Sequence, residues 1–510
     1  MDIKSLKNKI LQLAIQGKLV PQDENDESAS VLLENIKAEK EQLIKDKVIK
    51  KEKPLPEISE EEIPFKIPSN WKWARLVELS KNCEVPFADG PFGSNLKSIH
   101  YTDNPEVRII QLSNIGEDGW RDSNVRYTTF KHAETIKRSM VECGDLVIAK
   151  MMPAGRTIEV PDIEKAYVLS SDAVKFVPHP KLDKKYLLYT INSTVFKKQI
   201  NSQVQGTTRV RTSLTKLKGY LVPVPPIEEQ KRIVAKLDEL FKLIDKLDNN
   251  KQELLENISN TRNKVLQLAI QGKLVEQCEN DEPASVLLER IKAEKEQLIK
   301  DKVIKKEKPL PEISEEEKSF DLPKGWEWCR LGEISIKITD GSHNPPKGED
   351  GITDYMMLSS QNINQNTLVN LEKTRYLSEE NYNIENKRTQ IKIGDILLTI
   401  VGTIGRSCIY NGSLNITLQR SVAVVDTKYC NRYLKYLFDS PLIQKYFSEN
   451  SSGTAQKGIY LNQLKQTILP LPPLEEQKRI VAKVDLIMNY LDKLQQEIES
   501  QEVILEDILK

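Results

Sequence analysis

Downstream of Pro225-Pro226 the apolar residues step by threes and fours: Ile233, Leu237, Leu240, Ile244 and Leu247, then Leu254, Ile258, Val265 and Leu268. Prolines followed by Glu228 and Glu229 form a good helix start, because acidic residues complement the unpaired N–H groups of a first turn. The spacing predicts one long helix with an a/d seam and coiled-coil-like pairing. The same pattern follows Pro472-Pro473, with Ile480, Val484, Ile487, Leu491, Leu494, Ile498 and Leu505. Residues 28–53 and 283–308 are rich in Lys and Glu, with Leu32, Ile36 and Leu43 on one side of the first. They predict helices that are either solvated or a docking surface for a partner. The sequences Lys53-Pro54-Leu55-Pro56 and Lys308-Pro309-Leu310-Pro311 end them.

The chain repeats itself. Asn8–Glu62 returns as Asn263–Glu317, with differences only at Ile10/Val265, Pro21/Glu276, Asp23/Cys278, Ser28/Pro283 and Asn35/Arg290. Pro225–Lys236 returns as Pro472–Lys483 with one difference, Ile227/Leu474. Between these segments lie two dissimilar regions that share a skeleton. Both open on Trp-x-Trp (Trp71, Trp73; Trp326, Trp328) and contain Gly-Asp before a β-rich run (Gly144-Asp145; Gly394-Asp395). Both continue with Gly-Arg (Gly155-Arg156; Gly405-Arg406) and close with Gly-Thr and a Leu-x-x-Leu step. Ile3, Ile10 and Leu13 correspond to Ile258, Val265 and Leu268, which continue the central helix. At the chain ends that helix is cut, so the pattern is cyclic, with the termini meeting to complete a second long helix. Five segments follow: a helical repeat over 1–62, a globular domain over 63–224, a long helix plus helical repeat over 225–317, a second globular domain over 318–471, and a C-terminal helix over 472–510. The fold class expected is α+β, two globular domains separated by long antiparallel coiled-coil helices under pseudo-twofold symmetry.

Charge refines this picture. Lys+Arg and Asp+Glu balance at 75 each over the 510 residues, but residues 63–225 hold 24 Lys and Arg against 16 Asp and Glu, and residues 318–470 hold 18 against 15. Two regions at +8 and +3, joined by acidic helices, fit a protein that meets phosphate at two places. The six cysteines show no C-x-x-C spacing, and four scattered histidines (His100, His132, His179, His343) form no metal pattern. No phosphate-binding G-x-x-x-x-G-K-[ST] or dinucleotide G-x-G-x-x-G is present. Asn344-Pro345-Pro346-Lys347 is similar to an amino-methyltransferase motif but has Lys where a stacking aromatic is required, and Pro161-Asp162 with Glu164-Lys165 has the wrong spacing for a nuclease. No apolar run approaches membrane length, and Met1–Lys7 is amphipathic without a signal-peptide core, so a cytoplasmic, non-membrane protein is expected.

Paired Trp-x-Trp openings, Gly-Asp-[LI] strands, two P-P-[LI]-E-E-Q-K-R-I-V helices and two unlike domains in this circular order resemble the specificity subunit of type I restriction-modification systems. The resemblance covers nearly the whole chain; its repeated Lys/Glu segments are longer than the minimal family plan. It implies a non-catalytic DNA-binding subunit. Each variable domain is then a target recognition domain reading one half of a split, asymmetric site on double-stranded DNA. Modification (methyltransferase) subunits bring S-adenosylmethionine to adenine, and restriction (motor-nuclease) subunits bring ATP and Mg; this chain holds no cofactor or metal. About 33 residues of helix from Glu228 to Asn260 span roughly 50 Å, enough to set two half-sites one DNA turn apart. Base readers are expected on loops held by a rigid scaffold. In the first domain these are Ser94, Asn95 and Lys97, then Arg156, then Thr207, Thr208, Arg209 and Arg211. In the second they are Thr339, Ser342 and His343, then Arg406, Gln419 and Arg420, then Thr454, Gln456 and Lys457. Alternatives are the specificity component of a methyltransferase-only or phage-exclusion system, or a coiled-coil tether with two protein-binding heads.

Overall fold

The computed structural model describes residues 3–51, 55–151, 153–202, 211–452 and 457–508. The chain forms two compact units, the first reaching Asn250 and the second covering Lys251–Gln501; residues 502–508 group with the first unit.

Each unit is built to one plan. The strand Lys72–Arg75 pairs antiparallel with Leu221–Val224, so that the residues leading into and out of the first variable region lie side by side. In the second unit Glu327–Arg330 pairs with Ile468–Leu471 in the same way. Between these clasps, the first unit carries a four-stranded antiparallel sheet in the order Phe87–Asp89, Ala173–Phe176, Leu146–Ala149, Thr157–Glu159. The second unit repeats it with Lys337–Asp340, Val422–Asp426, Ile396–Thr399 and Ser407–Ile409. The predicted Gly-Asp runs are inner strands of these sheets, buried on both faces and therefore apolar apart from the terminal Thr399. Their aspartates, Asp145 and Asp395, are pushed above the usual carboxylate range by burial; Lys337 opposes this at Asp395. A second sheet per unit contains one parallel pair, Val107–Ile110 with Tyr167–Leu169 and Tyr355–Leu358 with Asn415–Leu418.

The long helices are Ile227–Ile270, 44 residues, and Leu474–Ile508, 35 residues. In the first unit the early part of Ile227–Ile270 packs against the helix Ile3–Ile15, through Ile233, Leu237 and Ile244 against Leu6, Ile10 and Leu11. In the second unit its later part packs against Leu474–Ile508, through Val265, Leu266 and Ala269 against Ile480 and Val484. Both pairs are antiparallel and closed by ion pairs at equivalent positions, Lys7–Asp245 at 2.5 Å and Arg262–Asp492 at 2.6 Å. These pairs are largely in solvent, where screening leaves little net energy. Asp245→Asn is therefore expected to change the free energy of unfolding by less than about 1 kcal/mol in a denaturant titration.

The predicted seam is only partly used: Leu247, Leu254 and Leu494 are about half exposed, beside Leu243 and Tyr490. The Lys/Glu-rich repeats form helices Ala29–Lys45 and Ala284–Lys300, whose apolar faces are spent inside their own units, Leu32 and Ile36 in one core and Leu287 and Ile291 in the other. No described helix is long and apolar enough to cross a membrane.

Candidate nucleic-acid interface

A buried carboxylate fastens each variable domain to its long helix. Glu229 accepts the indole N–H of Trp71 at 2.9 Å and the amide N–H of Gln22 at 2.6 Å. Glu476 accepts from Trp326 at 3.0 Å and Gln277 at 2.7 Å. Burial pushes both carboxyls up, while their donors and the nearby Arg232 or Arg479 pull them down. Those arginines pair in turn with Asp26 (2.6 Å) and Asp281 (2.5 Å). At each clasp a buried arginine collects three carbonyls from two chain segments. Arg75 donates to Pro56 O, Glu57 O and Gly219 O, and Arg330 to Pro311 O, Glu312 O and Gln466 O. The Trp-x-Trp and E-E-Q motifs are thus two halves of one socket, built twice.

On this base the loops converge at one end of each four-stranded sheet. In the first domain Gly90 leaves its strand so close to Ser170 that a Cβ would lie 1.7 Å from the Ser170 carbonyl oxygen. The turn that follows closes with the Asn95 N–H donated to Phe92 O at 2.8 Å, and a His132 ring nitrogen lies 2.9 Å from Asn95 O. Ser94, Asn95 and Lys97 are exposed on this loop. Lys150, buried at the end of the inner strand, reaches Asp89 at 2.7 Å. Its backbone donates to Asp172 O and accepts from Thr212 N. Arg211, exposed, bridges to Met151 and lies 3.8 Å from Asp172. Arg211 is thereby held beside Lys150, Asp89 and Asp172, while Ser94, Asn95 and Lys97 follow on the loop that leaves Asp89 and rest against His132 and His100. Arg156 lies beyond the Gly155 turn and faces Arg121 and Glu117 instead. Thr207, Thr208 and Arg209 lie outside the described residues.

In the second domain Gly341 repeats the close approach, with a Cβ position 2.0 Å from Leu418 O. The Ser342 N–H donates to Leu418 O and its carbonyl accepts from Arg420 N, which draws Ser342 to 8 % exposure. Its side chain is turned from solvent by the same approach that shapes the loop. His343 is exposed with its ring 2.7 Å from Asp340, which also takes Arg388. Thr339 and Gln419 are half-buried; Arg406, Arg420 and Lys457 are exposed. Gly402 N donates to Lys457 O and Gln419 N to Leu358 O, so these loops also meet. Thr454 and Gln456 lie outside the described residues.

Several residues here escaped the sequence reading. Lys150 and Arg388 hold the equivalent aspartates Asp89 and Asp340 from different elements, one from a strand end and one from the helix Glu379–Thr389. Phe92 and Ile99 stand more than four-fifths exposed on the loop that carries Ser94 and Lys97. Their signal was present, apolar residues inside a turn-rich polar loop. Among the described residues no group of His, Cys, Asp and Glu could hold a metal ion.

Residues 77–257 and 323–503 match the family model of the type I restriction modification DNA specificity domain. The chain belongs to this family. It is 33% identical over 560 residues to the type I restriction enzyme EcoAI specificity subunit of Escherichia coli, covering 96% of this chain and 90% of that one. It is 30% identical over 579 residues to the EcoEI specificity subunit of Escherichia coli, covering 98% and 91%. A chain from a structure of type I restriction-modification assembly and conformational transition superposes with TM-score 0.55 at 20% identity, over 88% of this chain and 97% of that one. The specificity-domain match occurs twice, once on each unit. The α+β architecture with two tandem recognition domains on long helices is the fold of this family.

Proposed function

We propose that the chain is the DNA-reading subunit of a type I restriction-modification complex. Residues 63–224 and 318–471 each read one half of a bipartite, asymmetric site. The observation that carries this reading is a socket built twice from the same residues, Trp71–Glu229–Gln22 and Trp326–Glu476–Gln277, beneath platforms whose exposed residues differ. Equal sockets give equal placement; unlike platforms give unlike half-sites. Ser94, Asn95, Lys97 and Arg211 are the base or phosphate contacts of the first platform, and His343, Arg406, Arg420 and Lys457 those of the second. Phe92 suits a thymine methyl. The half-exposed pairs Leu243/Leu247 and Tyr490/Leu494 occupy equivalent places on the two long helices, which supports docking of two copies of a methyltransferase partner. That partner supplies S-adenosylmethionine, and a motor-nuclease partner ATP and Mg, within the cytoplasm.

Methylation mapping by long-read sequencing tests this, comparing cells that carry the gene and its neighbours with cells lacking it. A new methylated-adenine motif split into two unlike halves by an unspecified spacer is the expected result. No new motif in the presence of an active partner methyltransferase overturns it in favour of a protein-binding tether.

A further inference from the structure

Three cations from three elements of the first unit meet beside the recognition platform. Arg121 folds over the turn at Gly116, its Nε 2.8 Å from where a Cβ of Gly116 would stand. Arg156 projects from the Gly155 turn. Lys197, on the helix Thr194–Ser202, lays its stem across that turn, its Cγ 3.3 Å from a Gly155 Cβ position. The carboxylate that Arg156 and Lys197 share is Glu117, and Lys4 already engages it at 2.5 Å. Lys4 holds the Glu117 carboxyl below its usual range, with further pull from Lys197 and Arg156. Burial and then Arg121 work against the charge on Arg156, and burial, Lys4 and Arg156 work against that on Lys197. The Arg156 Nε is buried and has no hydrogen-bond acceptor. Like charges are therefore assembled with one carboxylate among them and a guanidinium N–H left over, which is the electrostatics of a site that awaits an anion.

The second unit provides an internal control. Arg406 stands in the place of Arg156, but the counterpart of Lys197 is Gln444 and that of Lys4 is Ser259. Gln444 turns its amide inward, donating to Gly405 O at 2.8 Å and Phe438 O at 2.6 Å. A neutral, satisfied side chain fills the space that a lysine occupies in the first unit.

We propose that Arg121, Arg156 and Lys197 clamp a DNA backbone phosphate beside the first half-site, and that the second domain has no such clamp. The inference rests on the DNA-reading function proposed above. Its consequence is unequal work: the first domain supplies more of the sequence-independent, salt-sensitive affinity, and the second relies more on its base contacts.

The test is the salt dependence of binding by the chain, purified in the complex it forms with its partner subunits, to a duplex carrying its mapped site. Lys197→Gln, which installs the residue the second unit already accommodates, is expected to reduce the slope of log K against log salt by about 0.9. That corresponds to roughly eightfold weaker binding at 0.1 M salt than the wild type, converging near 1 M, and similar on specific and unrelated duplexes. Arg156→Gln should act likewise. Glu117→Gln gives the opposite sign, tighter binding, because it removes the charge that opposes the phosphate. An unchanged slope in Lys197→Gln overturns the clamp, and so does weakened binding by Glu117→Gln, the result for a merely structural ion pair. Failure of the wild-type complex to bind DNA at all would instead overturn the DNA-reading function.

Discussion

Gly90→Ala is expected to cost recognition of one half of the DNA site while leaving the other half readable. The added methyl would stand 1.7 Å from a backbone oxygen, that of Ser170, and a backbone atom cannot move aside as a side-chain tip can. Either the loop carrying Ser94, Asn95 and Lys97 lifts from the platform or the strand connection at Ser170 shifts. Misplacing one bidentate base contact costs about 1–3 kcal/mol, so binding to the complete site should weaken by roughly 10- to 100-fold. Competition with duplexes in which one half-site is scrambled measures this: the variant should no longer distinguish an intact first half from a scrambled one. Gly341→Ala should do the same for the second half, through Leu418 O at 2.0 Å. Gly93→Ala is the control, because nothing lies within 4 Å of its Cβ position. Equal affinity of Gly90→Ala and Gly93→Ala for the intact site would contradict the loop assignment.

The largest stability effect is expected at the socket. Glu229→Ala removes the acceptor for both the Trp71 indole and the Gln22 amide, and opens space under a tryptophan that is 2 % exposed. Removing one member of a buried charged network typically costs about 3–5 kcal/mol. At roughly 2–4 °C per kcal/mol for a unit of this size, the first unit should melt at least about 6–12 °C lower by calorimetry. Glu476→Ala should do this to the second unit. The pH dependence carries its own sign. Burial raises the Glu229 carboxyl in the folded state, so its contribution is fully present below the ordinary glutamate value and declines as pH rises through the raised one. Glu229→Gln should flatten that decline, at the cost of one acceptor. A melting temperature within 2 °C of wild type for Glu229→Ala would show that the socket does not hold the domain.

Much of the architecture was legible because it rests on periodicity and duplication. Ile233, Leu237, Ile480 and Val484 are buried where their spacing places them. The ends of the seam were less legible: Leu247 and Leu494 fit the helical period, yet within their units nothing packs fully over them. The socket was visible only as two separate motifs, since no local pattern reveals that Trp71 will meet a carboxylate 158 positions away. On the platforms the sequence indicated loops better than residues. Ser342 is a polar loop residue like Ser94, but backbone pairing to Leu418 and Arg420 buries it. Arg156 and Arg211 read alike in sequence, yet one joins a cationic cluster and the other the platform. The asymmetry of charge between the two regions, +8 against +3, was legible as a sum. Its concentration around Glu117 required three elements to be folded together.

The clasp of Lys72–Arg75 with Leu221–Val224 has an evolutionary consequence. A segment whose two ends are hydrogen-bonded neighbours is topologically a graft: everything from Leu76 to Tyr220 can be replaced by another chain without changing the distance its stem must bridge. The Arg75 and Arg330 stems collect main-chain carbonyls at Gly219 and Gln466, and a main-chain carbonyl is available whatever the side chain there. At the stem the host therefore places few demands on guest side chains; its further demand is an apolar face such as that of Tyr186, Ile191 and Ile200, which shares a core with Leu6, Ile10 and Ile233. A lineage carrying this scaffold can acquire a new DNA address by exchanging one cassette, with the second cassette, the helices and any subunits docked on them left as they were.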